Sequence, residues 1–198
     1  MGEQAEAIEE GLLPARDGVG PLLQRDYWAA IAGARLGPCE VMAEVRAHFA
    51  SFAPAELAAF EPRAGDRPLE VGDELGIQIV GAGGCCVRVV HRDGQTLTLA
   101  TVAGHPEAGR ITFGAYRDDR GALVFHIRSR ARSDSLLRLL GFVVIGEAMQ
   151  TNTWTDFISR VAAIAGGQVA SGIRAELHSL EADDDEPIDA PTFLARGG

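Results

Sequence analysis

From Leu69 to Arg132 the apolar residues recur with a period of two, cut at short intervals by turn-forming residues. This alternation constrains the fold more than any other feature, because successive side chains of a strand point to opposite faces of a sheet. LEVGDEL reads as a strand entering a tight turn. GIQIVG follows with Ile77 and Ile79 on one face, then CVRVVHR, TLTLAT, ITFGAY and ALVFHIRSRAR. Asp93-Gly94 is a hairpin signal, Gly104 to Gly109 form a second connection and Asp118 to Gly121 a third. Short connections make an antiparallel meander the simplest topology. On the last strand Leu123, Phe125 and Ile127 share one face, and Val124, His126 and Arg128 share the other.

The flanks carry helical spacing instead. Leu22, Leu23, Tyr27, Trp28 and Ile31 are spaced like one face of a helix. Pro38 opens a helix over 38–51, with proline at its favoured first position. Pro54 restarts a short helix to Phe60. After Ser133 a long apolar helix begins between 136 and 146; Trp154, Phe157, Ile158, Val161, Ile164 and Ala165 form its stripe, and Gly166-Gly167 end it. Residues 168–178 extend it or form a second short helix. Strands followed by one long helix predict an α+β domain, a curved antiparallel sheet gripping the C-terminal helix. The expected organisation is a flexible segment over 1–20, one domain over 21–178 and an acidic tail over 179–198.

The formal net charge of −10, from 28 acidic and 18 basic residues, argues against a nonspecific nucleic-acid surface. Part of that charge is local to the tail, in Glu181, Asp183, Asp184, Asp185, Glu186 and Asp189. No apolar run approaches the roughly 20 residues of a membrane span, and MGEQAEAIEEGLLPARDG has no basic-then-apolar leader; a cytoplasmic location is expected. Cys39, Cys85 and Cys86 are an odd set for a disulfide framework. Cys85 and Cys86 point to opposite faces of a strand, so they do not chelate a metal jointly, and no metal is expected. The chain contains no lysine, hence no phosphate-binding loop, and has no GxSxG, HExxH or CxxC. No cofactor is expected.

Three polar groupings remain. His105 and Glu107 flank Pro106 in a turn, where a histidine base and an orienting carboxylate have the right chemistry; a structural turn is the plainer reading. His126, Arg128 and Arg130 alternate on one strand face, with Arg88 and Arg92 of matching polarity nearby, and such a row suits a carboxylate or phosphate. Asn152 and Asp156 interrupt the last helix, with His126 or Arg128 as candidate partners and Trp154 and Phe157 as walls.

The stretch LATVAGHPEAGRITFGAYRDDRGALVFHIRSRAR resembles the signature of the DUF1990 family, also called UPF0548. Gly104, His105, Pro106, Glu107 and Gly109 match its turn. Phe113, Gly121, Phe125, Ile127 and Arg128 match its later strands, and Val71, Gly72 and Asp73 echo its earlier Val-Gly-Asp. The family's Tyr-Gly-Thr-Leu before the turn is here Leu99-Ala100-Thr101-Val102, so no tyrosine role carries over. The resemblance implies a START or Bet v 1-like helix-grip fold and no particular reaction.

The leading expectation is a protein that binds a small hydrophobic or amphipathic ligand in a cavity between sheet and C-terminal helix, with His105, Glu107, His126, Arg128, Asn152, Trp154 and Asp156 as the candidate contacts. One alternative is an enzyme using His105 with Glu107, or His126 with Arg128 and Asp156. The other is an interaction or structural domain with a filled core.

Overall fold

The computed structural model describes residues 8–53, 58–62, 67–79, 83–134, 151–181 and 193. The expected helix start between 136 and 146 and the acidic run 183–189 lie outside the described residues. Strand β1 (Val19–Ala32) comes first. Helix α1 (Pro38–Ala47) and the short α2 (Phe49–Phe52) follow. The meander is β2 (Ala58–Pro62), β3 (Glu74–Ile79), β4 (Gly83–Arg92), β5 (Thr96–Thr101), β6 (Glu107–Arg117) and β7 (Leu123–Ser133). Helix α3 is described over 151–164, and β8 (Gln168–Val169) and β9 (Arg174–Leu180) end the described main body.

The nine strands among the described residues pair antiparallel in one sheet, in the order β2-β3-β4-β5-β6-β7-β1-β8, with β9 also on β1. Four of the expected strands recur as β4 to β7, and GIQIVG contributes most of β3. LEVGDEL is not itself a strand: residues 69–73 form a turn, and β3 begins only at Glu74. Asp93 makes the expected hairpin, its Oδ1 accepting from the Gln95 and Thr96 amides at 2.7 and 2.6 Å. Burial alone would raise its carboxyl, but these bonds outweigh burial and hold it below the ordinary carboxylate range.

Residues 22–31 are strand, not helix. Both faces of β1 are covered, so its apolar and polar positions are buried together and no clean alternation survives: Tyr27, Ala29 and Ile31 enter the inner core, while Leu22, Gln24 and Asp26 are buried on the other side. Residues 58–60 likewise lie in β2 rather than in a helix. The region 168–178 holds two strands that pair with β1 instead of a helical extension. In the N-terminal segment the Leu13 amide donates to Thr101 O at 2.8 Å and Ala15 is fully buried, so its described part is tied to the sheet rather than loose. β9 runs to Leu180, past the expected domain end at 178.

The predicted helix over 38–51 divides at His48, whose backbone leaves helical geometry (φ −130°, ψ 29°). At the start of α1 the Glu40 carboxylate accepts from the Gly37 amide at 2.7 Å, satisfying a donor that the helix leaves open. α1, α2 and α3 cover the inner face of the sheet. Phe157 of α3 lies 5.1 Å from Phe113, 5.4 Å from Phe49 and Phe52, and stacks on Phe125 at 6.0 Å between ring centroids. Ile158, Val161, Ala162 and Ala165 complete the buried stripe; Ile164 is exposed. Gly166, at φ +76°, ends the helix as expected. The result is an α+β, helix-grip-like architecture: one multi-stranded antiparallel sheet packed against a C-terminal helix.

Candidate functional site

Alternation along β7 sends Leu123, Phe125 and Ile127 to the inner core and turns His126 and Arg128 outward. The β1–β7 register places Asp26 opposite Arg128 and Trp28 opposite His126. Asp26, with 0% exposure, accepts through Oδ1 from Arg128 Nε at 2.6 Å and faces His126 Nε2 at 2.7 Å. A carboxylate only accepts, so Nε2 carries the proton and Nδ1, 3.2 Å from the Tyr116 hydroxyl, is left to receive it in the neutral ring. Gln24 extends the chain, donating to Asp26 Oδ2 at 3.0 Å and accepting from Arg130 Nε at 2.7 Å. Burial would raise the Asp26 carboxyl; hydrogen bonds from His126 and Arg128, and their charges, more than offset it and hold it below the ordinary range.

Phe193 closes this cluster from outside. Its ring centre is 4.5 Å from that of His126, 6.0 Å from Tyr116 in a stacked pair, and 5.2 Å from the Arg128 guanidinium carbon. Gly114 makes the room: a Cβ there would collide with the Phe193 ring. The cluster therefore has the order carboxylate, imidazole, phenol of a proton relay, and the Phe193 ring packs over it. Within the expected tail, Phe193 is thus buried, not solvated.

The inner face presents a different set. Arg25 and Ser129 are partners across β1 and β7, two residues from the inward pair Tyr27 and Ile127. Arg25 Nη1 reaches Glu107 Oε1 at 3.4 Å. Arg25 Nε and Ser129 Oγ are buried with no hydrogen-bond partner among the described residues, although these residues are only 9% and 8% exposed. Beside them a cleft of about 130 Å³ is lined by Arg25, Tyr27, Thr151, Ala175, Glu176 and Leu177. It opens between β1, β9 and the described start of α3.

The expected residues fall as follows. His105 Nδ1 sits 3.0 Å from the Glu107 amide and 2.9 Å from its carbonyl oxygen, so either tautomer ties the ring to that peptide. The Glu107 carboxylate turns to Arg25 instead. The surrounding loop is further stitched by Thr101 Oγ1, which accepts from the Gly109 amide at 2.9 Å and donates to Leu13 O at 2.8 Å. Gly109 itself, at φ +151°, has no room for a Cβ against the β7 backbone. His126 and Arg128 are together, but Asp156 is exposed on α3, which packs against the opposite face of the sheet, and Asn152 is exposed as well. The carboxylate that His126 and Arg128 share is Asp26. Trp154 is half-buried, edge-on to Phe113 at 5.6 Å, in the wall of the inner core. Arg88 and Arg92 are engaged elsewhere, by Glu74 at 2.7 Å and Glu70 at 2.6 Å.

Asp26, Tyr116 and Phe193 escaped the sequence reading. Asp26 lay in a presumed helix, Phe193 in a presumed solvated tail. Arg25 and Ser129 carry no local signal; strand alternation placed them on the inner face only once β1 was known to pair with β7. Among the described residues no three His, Cys, Asp or Glu side chains gather as a metal site, and no helix is long and apolar enough to cross a membrane. The three cysteines form no disulfide.

Three solved structures share the fold. The KanY protein in solution superposes with a TM-score of 0.54 at 8% identity, over 75% of this chain and 100% of that one. A hypothetical protein from Helicobacter pylori gives 0.51 at 9%, over 71% and 86%. The di-domain ARO/CYC StfQ from the steffimycin biosynthetic pathway gives 0.50 at 15%, over 77% of this chain and 52% of that one. At such identities the likeness is one of fold. No curated protein matches the sequence. Residues 20–160 match the family described as a domain of unknown function, DUF1990, and the span covers β1 through most of α3. The chain belongs to the DUF1990 family.

Proposed function

We propose that the protein binds a small hydrophobic or amphipathic molecule between the inner face of its sheet and the C-terminal helix, at the end marked by Arg25 and Ser129. The observation that carries this reading is the buried pair of polar atoms, Arg25 Nε and Ser129 Oγ, with no partner among the described residues, next to an open cleft. A buried donor without an acceptor costs about 1–3 kcal/mol, and native interiors rarely tolerate it. A carboxylate or carbonyl oxygen arriving with a ligand satisfies Arg25 Nε, and Ser129 Oγ either donates or accepts. Glu107 meets Nη1 on one side at 3.4 Å. Tyr27 and Leu177 supply apolar walls. This is the ordinary composition of a small-molecule site, apolar with a few placed polar groups. Register breaks between Val19 and Leu23 and between Val89 and His91 support a sheet that curves around the helix.

Octanoate is a suitable probe, with an apolar tail and a carboxylate. Saturable one-to-one binding by calorimetry is expected, weakened about tenfold or more in Arg25→Met, which keeps the stem and removes the donors. Absence of saturable binding, or equal affinity in the variant, overturns the reading.

A further inference from the structure

β9 is the outermost strand on its side of β1. Its seven residues run without a bulge, pairing Leu180 to Arg174 against Leu22 to Trp28. Among the described residues no strand pairs with its other edge. A strand edge with an unpaired row of amides and carbonyls is a template for another strand, and proteins usually blunt such edges with proline, lysine or a bulge. RAELHSL contains none of these. Arg174 to Ser179 are exposed, and Leu177 is 51% exposed, one of the few large apolar side chains so placed among the described residues.

We infer that β9 is the self-association surface of the chain: two copies pair antiparallel through β9, about a two-fold axis at Leu177, to join their sheets. The register follows from parity. Facing residues in an antiparallel ladder must both turn their backbone groups toward the partner or both away from it. For two identical strands the two residue numbers of every facing pair therefore share parity, and the axis passes through a residue. An axis at Leu177 uses the whole strand. It sets Leu177 against its own copy on the inner face, Ala175 against Ser179, Glu176 against His178 on the outer face, and Arg174 against Leu180. Moving the axis to Glu176 opposes two glutamates and shortens the ladder to 174–178. Moving it to His178 opposes two histidines and leaves 176–180. Only the Leu177 register combines the full length with a carboxylate facing an imidazole across the strands, beside the Glu176–His178 contact of 3.2 Å within each strand, where the other registers oppose two like groups. Such an interface is isologous and closed, so it gives a dimer and not a fibre. β8 and β9 lie beyond residues 20–160, the span matched to the family.

Sedimentation velocity of the full chain across a micromolar concentration series tests this. A species of twice 20.9 kDa is expected, in equilibrium with monomer. His178→Glu, an exposed change that puts Glu against Glu, weakens the dimer about fivefold to thirtyfold, since two such pairs form per dimer. Glu176→His combined with His178→Glu restores it. In a Cys39→Ser background, Leu177→Cys crosslinks to its own copy under mild oxidation, because directly opposed Cα atoms lie within disulfide reach; Glu176→Cys does not. A wild-type chain that stays monomeric overturns the inference. So does a dimer indifferent to His178→Glu, or crosslinking of Glu176→Cys as readily as of Leu177→Cys.

Discussion

Asp26 and His126 meet 2.7 Å apart across the β1–β7 ladder, on the face of the sheet opposite α1, α2 and α3. Arg128 shares the same carboxylate oxygen. Three ionisable groups buried together form a unit whose members depend on one another. Replacing Asp26 by Asn removes the charge that Arg128 and His126 share and is expected to cost about 3–5 kcal/mol, the usual penalty for breaking a buried pair. Urea unfolding at neutral pH measures it.

Asp26 also predicts an acid limb. Its folded-state carboxyl lies below the ordinary value of about 3.9. A depressed carboxyl stabilises the fold fully above its unfolded-state value and loses that contribution as pH falls through the folded one. The wild-type melting temperature is therefore expected to drop as pH falls below about 4. In Asp26→Asn the drop is shallower. An identical acid limb in both proteins would remove Asp26 from the account.

Gly114 and Phe193 form a matched pair, one leaving the space that the other fills. Phe193→Ala is expected to cost about 3 kcal/mol at this buried site, and Gly114→Ala about 1–3 kcal/mol by overpacking. The two effects are not additive. With Phe193 already truncated, Gly114→Ala becomes nearly neutral, and a double-mutant cycle by thermal or chemical denaturation measures the coupling.

Thr101 joins the N-terminal segment to the Gly109 turn through one hydroxyl. Thr101→Val keeps the shape and leaves the Gly109 amide and Leu13 carbonyl without that partner, at a cost of about 1–3 kcal/mol. Amide exchange at Gly109 is expected to accelerate more than exchange in β7.

Phe157 meets five aromatic neighbours under the sheet: Phe49, Phe52, Phe113, Phe125 and Trp154. Phe157→Ala is expected to cost about 3–5 kcal/mol, read from the denaturation midpoint. Phe157→Leu costs less, because more of the space stays filled.

The meander was legible because β4 to β7 are bounded by turn residues with recognisable chemistry, such as Asp93 with Gly94, and because β7 keeps strict alternation. β1 was not, since a strand covered on both faces loses its polar–apolar contrast, and LLQRDYWAAIA then imitates a helix. His126 and Arg128 stood out as residues of interest, yet their partner lies 100 and 102 positions away in the chain, beyond the reach of any local pattern. The helix carboxylate Asp156 looked nearer and proved to be on the wrong side. Glu107 was picked for its proximity to His105, whereas its carboxylate serves Arg25. Phe193 stands in the short stretch Thr192-Phe193-Leu194-Ala195 beside an acidic run, with no strand or helix period to mark it as buried.

The position of β1 between β7 and β9 has a consequence for how the molecule is made. β1 precedes every other described strand, and its partners β7 and β9 follow the rest of the meander: one side of it is unmatched until residues 123–133 have been translated and the other until 174–180. Until then the segment with the buried aspartate has neither its cations nor its strand partners, while β2 to β6 can already zip up by local hairpins. Closing so long a loop is entropically late and slow. The nascent chain thus passes through a stage in which β1 is the unfinished part, and the arrival of β7, β8 and β9 acts as the closing step.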